Sequence, residues 1–302
     1  MWRWYDNLSG LDESFWLERV LEQLRPSPFL TPSFLKPWSA SFAKEIRVGV
    51  WKERGLIMFH RKPNAWELLG GQDVADRLDG LCADEEFWRS LRRQARQWNA
   101  PLEFPNLAYD SEALRHRDPS DILELTDRSP FVPLGGSFTE YLQALVRKSR
   151  HELKRKIAKA EREAADGLTL RSGLEHLETF LHLHRLSSPD KRSFMQDEVE
   201  RFFRALCLSL DRAGMLGLQV LFAGETPLAA LMEIRFAGVV HLYNSGYDPT
   251  YSPLSPGLVL IAKSIEQACL EGFREYDFLR GDERYKYHLG GRDREVFKLT
   301  WF

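Results

Sequence analysis

From residue 218 the apolar residues stop recurring at helical spacing and fill three runs, Leu218–Phe222, Leu228–Phe236 and Val239–Tyr247. The turn Gly224-Glu225-Thr226-Pro227 divides the first two, and Gly238 divides the last two. Connections that short join antiparallel neighbours, so the segment predicts a three-stranded meander. Directly after it come Ser255-Pro256-Gly257, an amphipathic stretch carrying Leu258, Ile261, Ala262, Ile265, Ala268 and Cys269, and a strand through Tyr276–Leu279. Ser-Pro-Gly reads as the start of a helix: serine caps, proline pre-sets φ, and glycine lets a ligand approach the backbone. A helix that begins just after a strand exposes unpaired N–H groups and the positive end of its dipole, a ready site for phosphate or pyrophosphate.

Upstream, Ser137-Phe138-Thr139-Glu140 has the spacing of a capping box, and the helix it opens is expected to run to about Ala165 and stop at Gly167. Two more helices are expected near Glu175–Leu186 and Asp197–Ala213, the latter with Val199, Phe202, Phe203, Leu206, Cys207 and Leu210 on one stripe. A strand through Glu295–Trp301 is read as closing this unit. The proline-marked connector Arg117–Pro133 places the boundary, giving units of residues 1–125 and 126–302. In the first unit we expect a helix over Glu13–Leu24 burying Trp16, Val20, Leu21 and Leu24. An irregular connector is expected around Pro26, Pro28, Pro32 and Pro37, carrying Phe29, Phe34 and Trp38. A hairpin of Ile46–Trp51 and Leu56–His60 has Gly55 in its turn, followed by a strand at Trp66–Leu69, a helix at Asp84–Trp98 and a strand at Leu102–Phe104. Strands and helices alternate, so the class is α/β (α+β).

With 302 residues, 43% of them apolar, two cores are affordable, and a net charge of −2 argues against a surface built as a whole for nucleic acid. Cys82, Cys207 and Cys269 are far apart with no metal-ligand spacing; two lie on helical apolar stripes, and none needs an oxidising compartment. Met1–Asn7 has no apolar core of a signal peptide, and no uncharged stretch is long enough to span a membrane. The expectation is a cytoplasmic protein.

Several stretches resemble a known family. They are Ser149-Arg150-His151-Glu152-Leu153-Lys154-Arg155-Lys156, Leu181-His182-Leu183-His184-Arg185, Gly224 with Pro227-Leu228-Ala229-Ala230, Ser255-Pro256-Gly257, and above all Tyr276-Asp277-Phe278-Leu279-Arg280-Gly281-Asp282-Glu283-Arg284-Tyr285-Lys286. Together they resemble the GCN5-related N-acetyltransferases (GNAT), and within them the CelD/BcsL type named for an association with cellulose biosynthesis. Pro28-Phe29-Leu30-Thr31-Pro32-Ser33-Phe34 and Gly70-Gly71-Gln72-Asp73-Val74-Ala75-Asp76 look like the N-terminal half of that type. The resemblance implies a GNAT-like fold in the C-terminal half and a degenerate GNAT-like copy in the N-terminal half, kept for acceptor binding and packing. It also implies acetyl-CoA or another acyl-CoA as co-substrate, no metal, and as acceptor an amine or hydroxyl of a small molecule, saccharide, or envelope or polysaccharide precursor. The layout is similar also to the Fem-type peptidyl transferases, two such folds in tandem that use aminoacyl-tRNA; the coiled-coil arm of some members has no counterpart here. One departure stands out: Thr250-Tyr251-Ser252-Pro253-Leu254 occupies the place of the family's glycine-rich pyrophosphate loop.

In this fold the two strands flanking the helix splay apart and the acyl group sits between them. The resemblance therefore assigns donor binding to Tyr243, Asn244, Ser245, Ser255, Gly257, Leu258 and Val259, with backbone N–H groups near Tyr243–Ser245 serving the thioester carbonyl. Asp277, Arg280, Asp282, Glu283 and Lys286 gather where the second strand ends, as acid-base or substrate-orienting groups or as an ion-pair network tying strands together. Glu233 is a reserve base and Tyr247 a reserve acid. Arg147–Arg162 holds eight lysines and arginines against two glutamates, either a solvated helix face or an attractor of an anionic acceptor, the 3′-phosphate of CoA, or tRNA. His182 and His184 fall on opposite helix sides and form no metal pair; His184-Arg185 is a candidate substrate contact. No serine or cysteine sits in a nucleophile motif, so direct attack in a ternary complex is expected. A Fem-like aminoacyl-tRNA-dependent transferase and a non-catalytic binding protein that keeps the fold are the alternatives.

Overall fold

The computed structural model describes residues 1–164 and 167–302. They form two compact units, residues 1–128 with 294–302, and residues 129–293.

The first unit begins with β1 (Trp2–Tyr5), α1 (Glu13–Leu21) and α2 (Pro32–Phe42), then β2 (Ile46–Trp51), β3 (Gly55–Arg61) and β4 (Trp66–Leu68). It continues through α3 (Glu85–Ala95), β5 (Leu102–Ala108), α4 (Glu112–Arg115) and β6 (Ile122–Arg128). Helix α1 is shorter than its pattern predicts. Trp16 and Val20 are buried, but Leu21 is 49% and Leu24 70% exposed. The proline-rich stretch is not an irregular connector but carries α2. Pro32 sits at N1, where its missing N–H costs nothing, and Pro37 gives up one internal bond while Phe34, Leu35 and Trp38 are buried. The hairpin forms with its turn carried by Lys52 and Glu53, at φ +48 and +56, not by Gly55. Gly55 instead allows close approach: a Cβ there would lie 2.6 Å from the Phe87 ring.

The second unit runs β7 (Phe131–Pro133), α5 (Phe138–Ala144), α6 (Arg147–Glu163), β8 (Leu168–Ser172), α7 (Leu177–Ser187), α8 (Pro189–Phe194) and α9 (Asp197–Arg212). The meander follows as β9 (Leu216–Ala223), β10 (Thr226–Phe236) and β11 (Val239–Tyr247), then α10 (Pro256–Leu270), β12 (Glu275–Asp277) and α11 (Arg284–His288). The capping box of Ser137 and Glu140 is complete. The long helix it was expected to open is broken, because Leu145 and Val146 are extended and Leu145 turns into the core. Ala165, the expected end of that helix, lies outside the described residues; Gly167 has the left-handed φ of +75. The sheet order is β7-β12-β11-β10-β9-β8. Val259, Leu260, Ala262 and Ile265 of α10 pack on Leu231 of β10, Val240 and Leu242 of β11, and Tyr276 and Phe278 to make its core.

The last strand, β13 (Glu295–Trp301), does not close the second unit as its position in sequence suggests. It pairs antiparallel with β5 and with β6, in a first sheet ordered β1-β2-β3-β4-β5-β13-β6. Its partner β6 lies inside the stretch read as a linker. Among the described residues no helix is long and apolar enough to cross a membrane, and no group of three or more His, Cys, Asp and Glu could hold a metal ion.

Candidate active site

The site begins where β11 and β12 part. Their parallel pairing joins Val239–His241 to Glu275–Asp277 and goes no further. On the other edge, β10 places Met232 opposite Asn244 and Glu233 opposite Leu242, so Tyr243 is bulged out of register. Its ring stacks on Phe203, centroids 5.6 Å apart. Past the parting, side chains take the backbone groups of β11. The Ser245 N–H donates to Asn244 Oδ1 at 3.0 Å, the Ser245 carbonyl accepts from Lys191 Nζ, and the Tyr247 N–H donates to Ser187 Oγ at 2.7 Å. Between Ser245 and Tyr247, Gly246 lets α7 press on the strand: a Cβ there would lie 2.4 Å from the His184 backbone nitrogen.

A cavity of about 330 Å³ opens beside this edge. Ser245 and Tyr247 line it from β11, Ser255, Gly257 and Leu258 from the start of α10, with Lys191 and Tyr285 completing the wall. The sequence reads Ser255 as a capping side chain. The structure holds it in the left-handed region at φ +53, where its side chain makes no capping bond and its N–H donates to the Ser252 carbonyl at 2.9 Å. A non-glycine residue there carries strain of about 1–2 kcal/mol, a feature concentrated at ligand sites. Val259 is fully buried and its N–H is spent on the Ser255 carbonyl, so Gly257 and Leu258 carry the N–H groups that the first turn leaves without a helical acceptor. Of the seven residues assigned to the donor, Ser245, Ser255, Gly257 and Leu258 reach the cavity; Tyr243, Asn244 and Val259 do not line it.

The five candidate catalytic residues run from the end of β12 through the following loop into α11, and none lines the cavity. Asp277 is buried, its Oδ1 accepting from the Leu279 N–H at 2.9 Å and from Ser129 Oγ at 3.3 Å, with His241 Nδ1 at 3.7 Å from Oδ2. Arg280 is half-buried; Asp282 and Glu283 are exposed. Lys286 is 2% exposed, and its ammonium donates to the carbonyls of Leu279, Arg280 and Gly281 at 3.1, 2.6 and 3.1 Å while pairing with Glu283 at 2.8 Å. Its three N–H groups are therefore engaged in shaping the loop. Lys286→Met should orphan those carbonyls and cost about 2–4 kcal/mol, read from the urea midpoint of unfolding.

Glu233 is fully buried in the core and does not reach the cavity, which corrects its reading as a base. Its Oε1 accepts from Ser264 Oγ and, at 2.7 Å, from Tyr276 OH, while Arg235 lies 3.3 Å from Oε2. His184 is also fully buried, among Phe180 and Phe194, and neither ring nitrogen makes a hydrogen bond among the described residues. Burial, with the Lys191 charge nearby, pushes it down to about 4 although the Asn244 side chain works the other way, so it is neutral near pH 7. His182 carries no such burial.

Lys191 went unread in the sequence, and Tyr285 was read only as part of the 276–286 run, with no role of its own. Burial holds the Lys191 ammonium below the usual lysine range, against the pull of Glu283, and burial followed by the Glu283 charge keeps the Tyr285 phenol protonated. Ser188-Pro189 did carry a signal: the Ser188 side chain caps α8 by accepting from the Lys191 N–H at 3.2 Å, with Pro189 at N1. That signal finds the helix but not what the lysine reaches.

Residues 147–287 match the family model of the acetyltransferase (GNAT) domain. No curated protein matches the chain in sequence. Among solved structures, the fold is similar to that of FemX, with a TM-score of 0.72 and 11% identity over 97% of this chain and 96% of that one. It is similar to a C-terminal domain assigned to a lysylphosphatidylglycerol synthetase from Agrobacterium fabrum, at 0.63 and 12% over 95% and 90%. It is similar also to L-PGS from Bacillus licheniformis, at 0.58 and 13% over 92% and 93%. Identities this low speak for the fold alone. The fold is mixed α/β with two mixed sheets, and the match to the GNAT acetyltransferase domain model falls on residues 147–287 of the second unit.

Proposed function

We propose that this chain is an acyltransferase that moves an acetyl or other acyl group from acyl-CoA to an amine or hydroxyl of a small molecule, a saccharide or an envelope precursor. The observation that carries this is the cavity at the parting of β11 and β12, which meets the N-terminus of α10 at Gly257. A Cβ at Gly257 would touch only the Tyr247 ring, at 3.7 Å, so the space in front of the helix start is open. Helix N–H groups and dipole favour a pyrophosphate there, and the splayed strands give the acyl arm a bed. The residues present therefore fit a CoA donor. The CelD/BcsL likeness of the 276–286 run supports an acceptor of the saccharide or envelope class. The first unit is read as a degenerate copy of the fold that serves acceptor binding. Asp282 and Glu283, exposed beside Tyr285, remain the groups on hand to take the acceptor's proton.

Calorimetric titration with CoA and acetyl-CoA at moderate salt tests this reading. Micromolar binding of both is expected, and a folded sample that binds neither sinks it. A second reading, aminoacyl-tRNA as donor, draws on the exposed Arg147, Lys148, Lys154 and Arg155 of α6 and on the likeness to FemX. It requires tRNA binding whose affinity falls steeply with salt.

A further inference from the structure

The backbone of β11 is the expected source of hydrogen bonds to the acyl carbonyl, yet two of its N–H groups beside the cavity are already engaged. The Ser245 N–H is closed by Asn244 Oδ1 and the Tyr247 N–H by Ser187 Oγ. What faces the cavity at this level is the side chain of Lys191, held on the Ser245 carbonyl. One of its three N–H groups makes that bond, and no second hydrogen bond or ion pair of its ammonium exists among the described residues. Lys286, the other lysine near the loop, is fully engaged with carbonyls. We propose that Lys191 binds the oxyanion of the acyl-transfer step, donating from its ammonium to the carbonyl oxygen of the bound acyl group.

This assignment rests on the reading of the cavity as the donor site. In the step, the acceptor's lone pair adds to the thioester carbonyl carbon and the C=O pair moves onto oxygen, where the Lys191 ammonium meets it. The pair then returns, the C–S bond breaks, and sulfur leaves with its electrons and takes up the proton that the acceptor gives up. The products are the amide or ester and the CoA thiol, and nothing is oxidised or reduced. Around Lys191, burial works against its charge while Glu283 favours it; His184 is neutral, and the cavity tyrosines are Tyr247 and Tyr285. A charge-assisted donor aimed at a developing oxyanion in a partly dry site is worth far more than one in water.

The test needs no known acceptor. Infrared difference spectra should show the carbonyl stretch of bound acetyl-CoA moved to lower frequency in the wild type, and Lys191→Met should abolish that shift while still binding CoA normally. Acetyl-CoA itself should bind Lys191→Met about tenfold more weakly. Lys191→Arg, which keeps a cation, should retain part of the shift, and thermal melts report that each variant is folded. An unchanged shift in Lys191→Met, or equal weakening of CoA and acetyl-CoA, overturns the assignment. A wild type that binds neither removes the donor site first, and the assignment falls with it.

Discussion

Gly257→Trp is expected to weaken CoA binding by about a hundredfold or more while leaving the protein folded. The position is the second residue of α10, its φ is ordinary, and only the Tyr247 ring lies within van der Waals reach of an added Cβ. A larger side chain there meets no core; it enters the cavity where the donor's phosphates would approach the helix start. Because glycine is a poor helix former, Gly257→Ala should raise stability by about 0.5–1 kcal/mol and bind CoA nearly as the wild type does. Paired calorimetric titrations and thermal melts decide the matter. A tryptophan variant that is folded and still binds CoA normally would place the donor elsewhere.

Glu233→Ala is expected to carry the other large effect, a loss of about 3–5 kcal/mol of stability, because removing one partner leaves buried polar groups behind. The Tyr276 hydroxyl and Ser264 would lose their acceptor, and Arg235, which also pairs with Glu271 at 3.0 Å, would lose one of its two carboxylates. Glu233→Gln keeps the shape and should cost far less. The two also separate by pH. Burial raises the Glu233 carboxyl above 4.5, against the pull of Arg235, Ser264 and Tyr276. For an acid raised in the folded state, the stability tied to its proton is complete below 4.5 and is lost as pH rises through the raised value. Wild type minus Glu233→Gln, compared by urea unfolding at about pH 5 and about pH 8, should therefore fall with rising pH. A difference that is flat or rises would mean the carboxylate is better solvated than its burial implies.

The meander, α9, the capping box and the start of α10 were legible because each is set by neighbours in sequence: alternation, helical spacing, or a local hydrogen-bond pair. What was missed depends on distant chain. In β6, Ile122, Leu123 and Leu125 are 49, 37 and 56% exposed, so no buried face marks it as a strand, and among the described residues its only strand partner is β13. Strand β12 was expected through Tyr276–Leu279 but spans Glu275–Asp277, because three residues are too few to fix its ends by a period. At the site, Gly257 could be placed by its position after strand and loop, and Ser245 by its place late in the third strand of the meander. Lys191 could not, since a lysine between Asp190 and Arg192 reads as solvent-facing and its contact with Ser245 spans 54 residues. Ser255 misled for a local reason: Ser-Pro-Gly has the composition of a cap, but a left-handed serine turns its hydroxyl away from the helix it precedes.

The position of β13 between β5 and β6 also fixes the order in which the protein can mature. During synthesis the first sheet must wait with an interior strand missing until the whole second unit has been made, and β6 has no strand to join until then. The chain cannot be divided into two self-sufficient pieces by a cut after Arg128. A ribosome-bound nascent chain will finish its C-terminal unit before its N-terminal one.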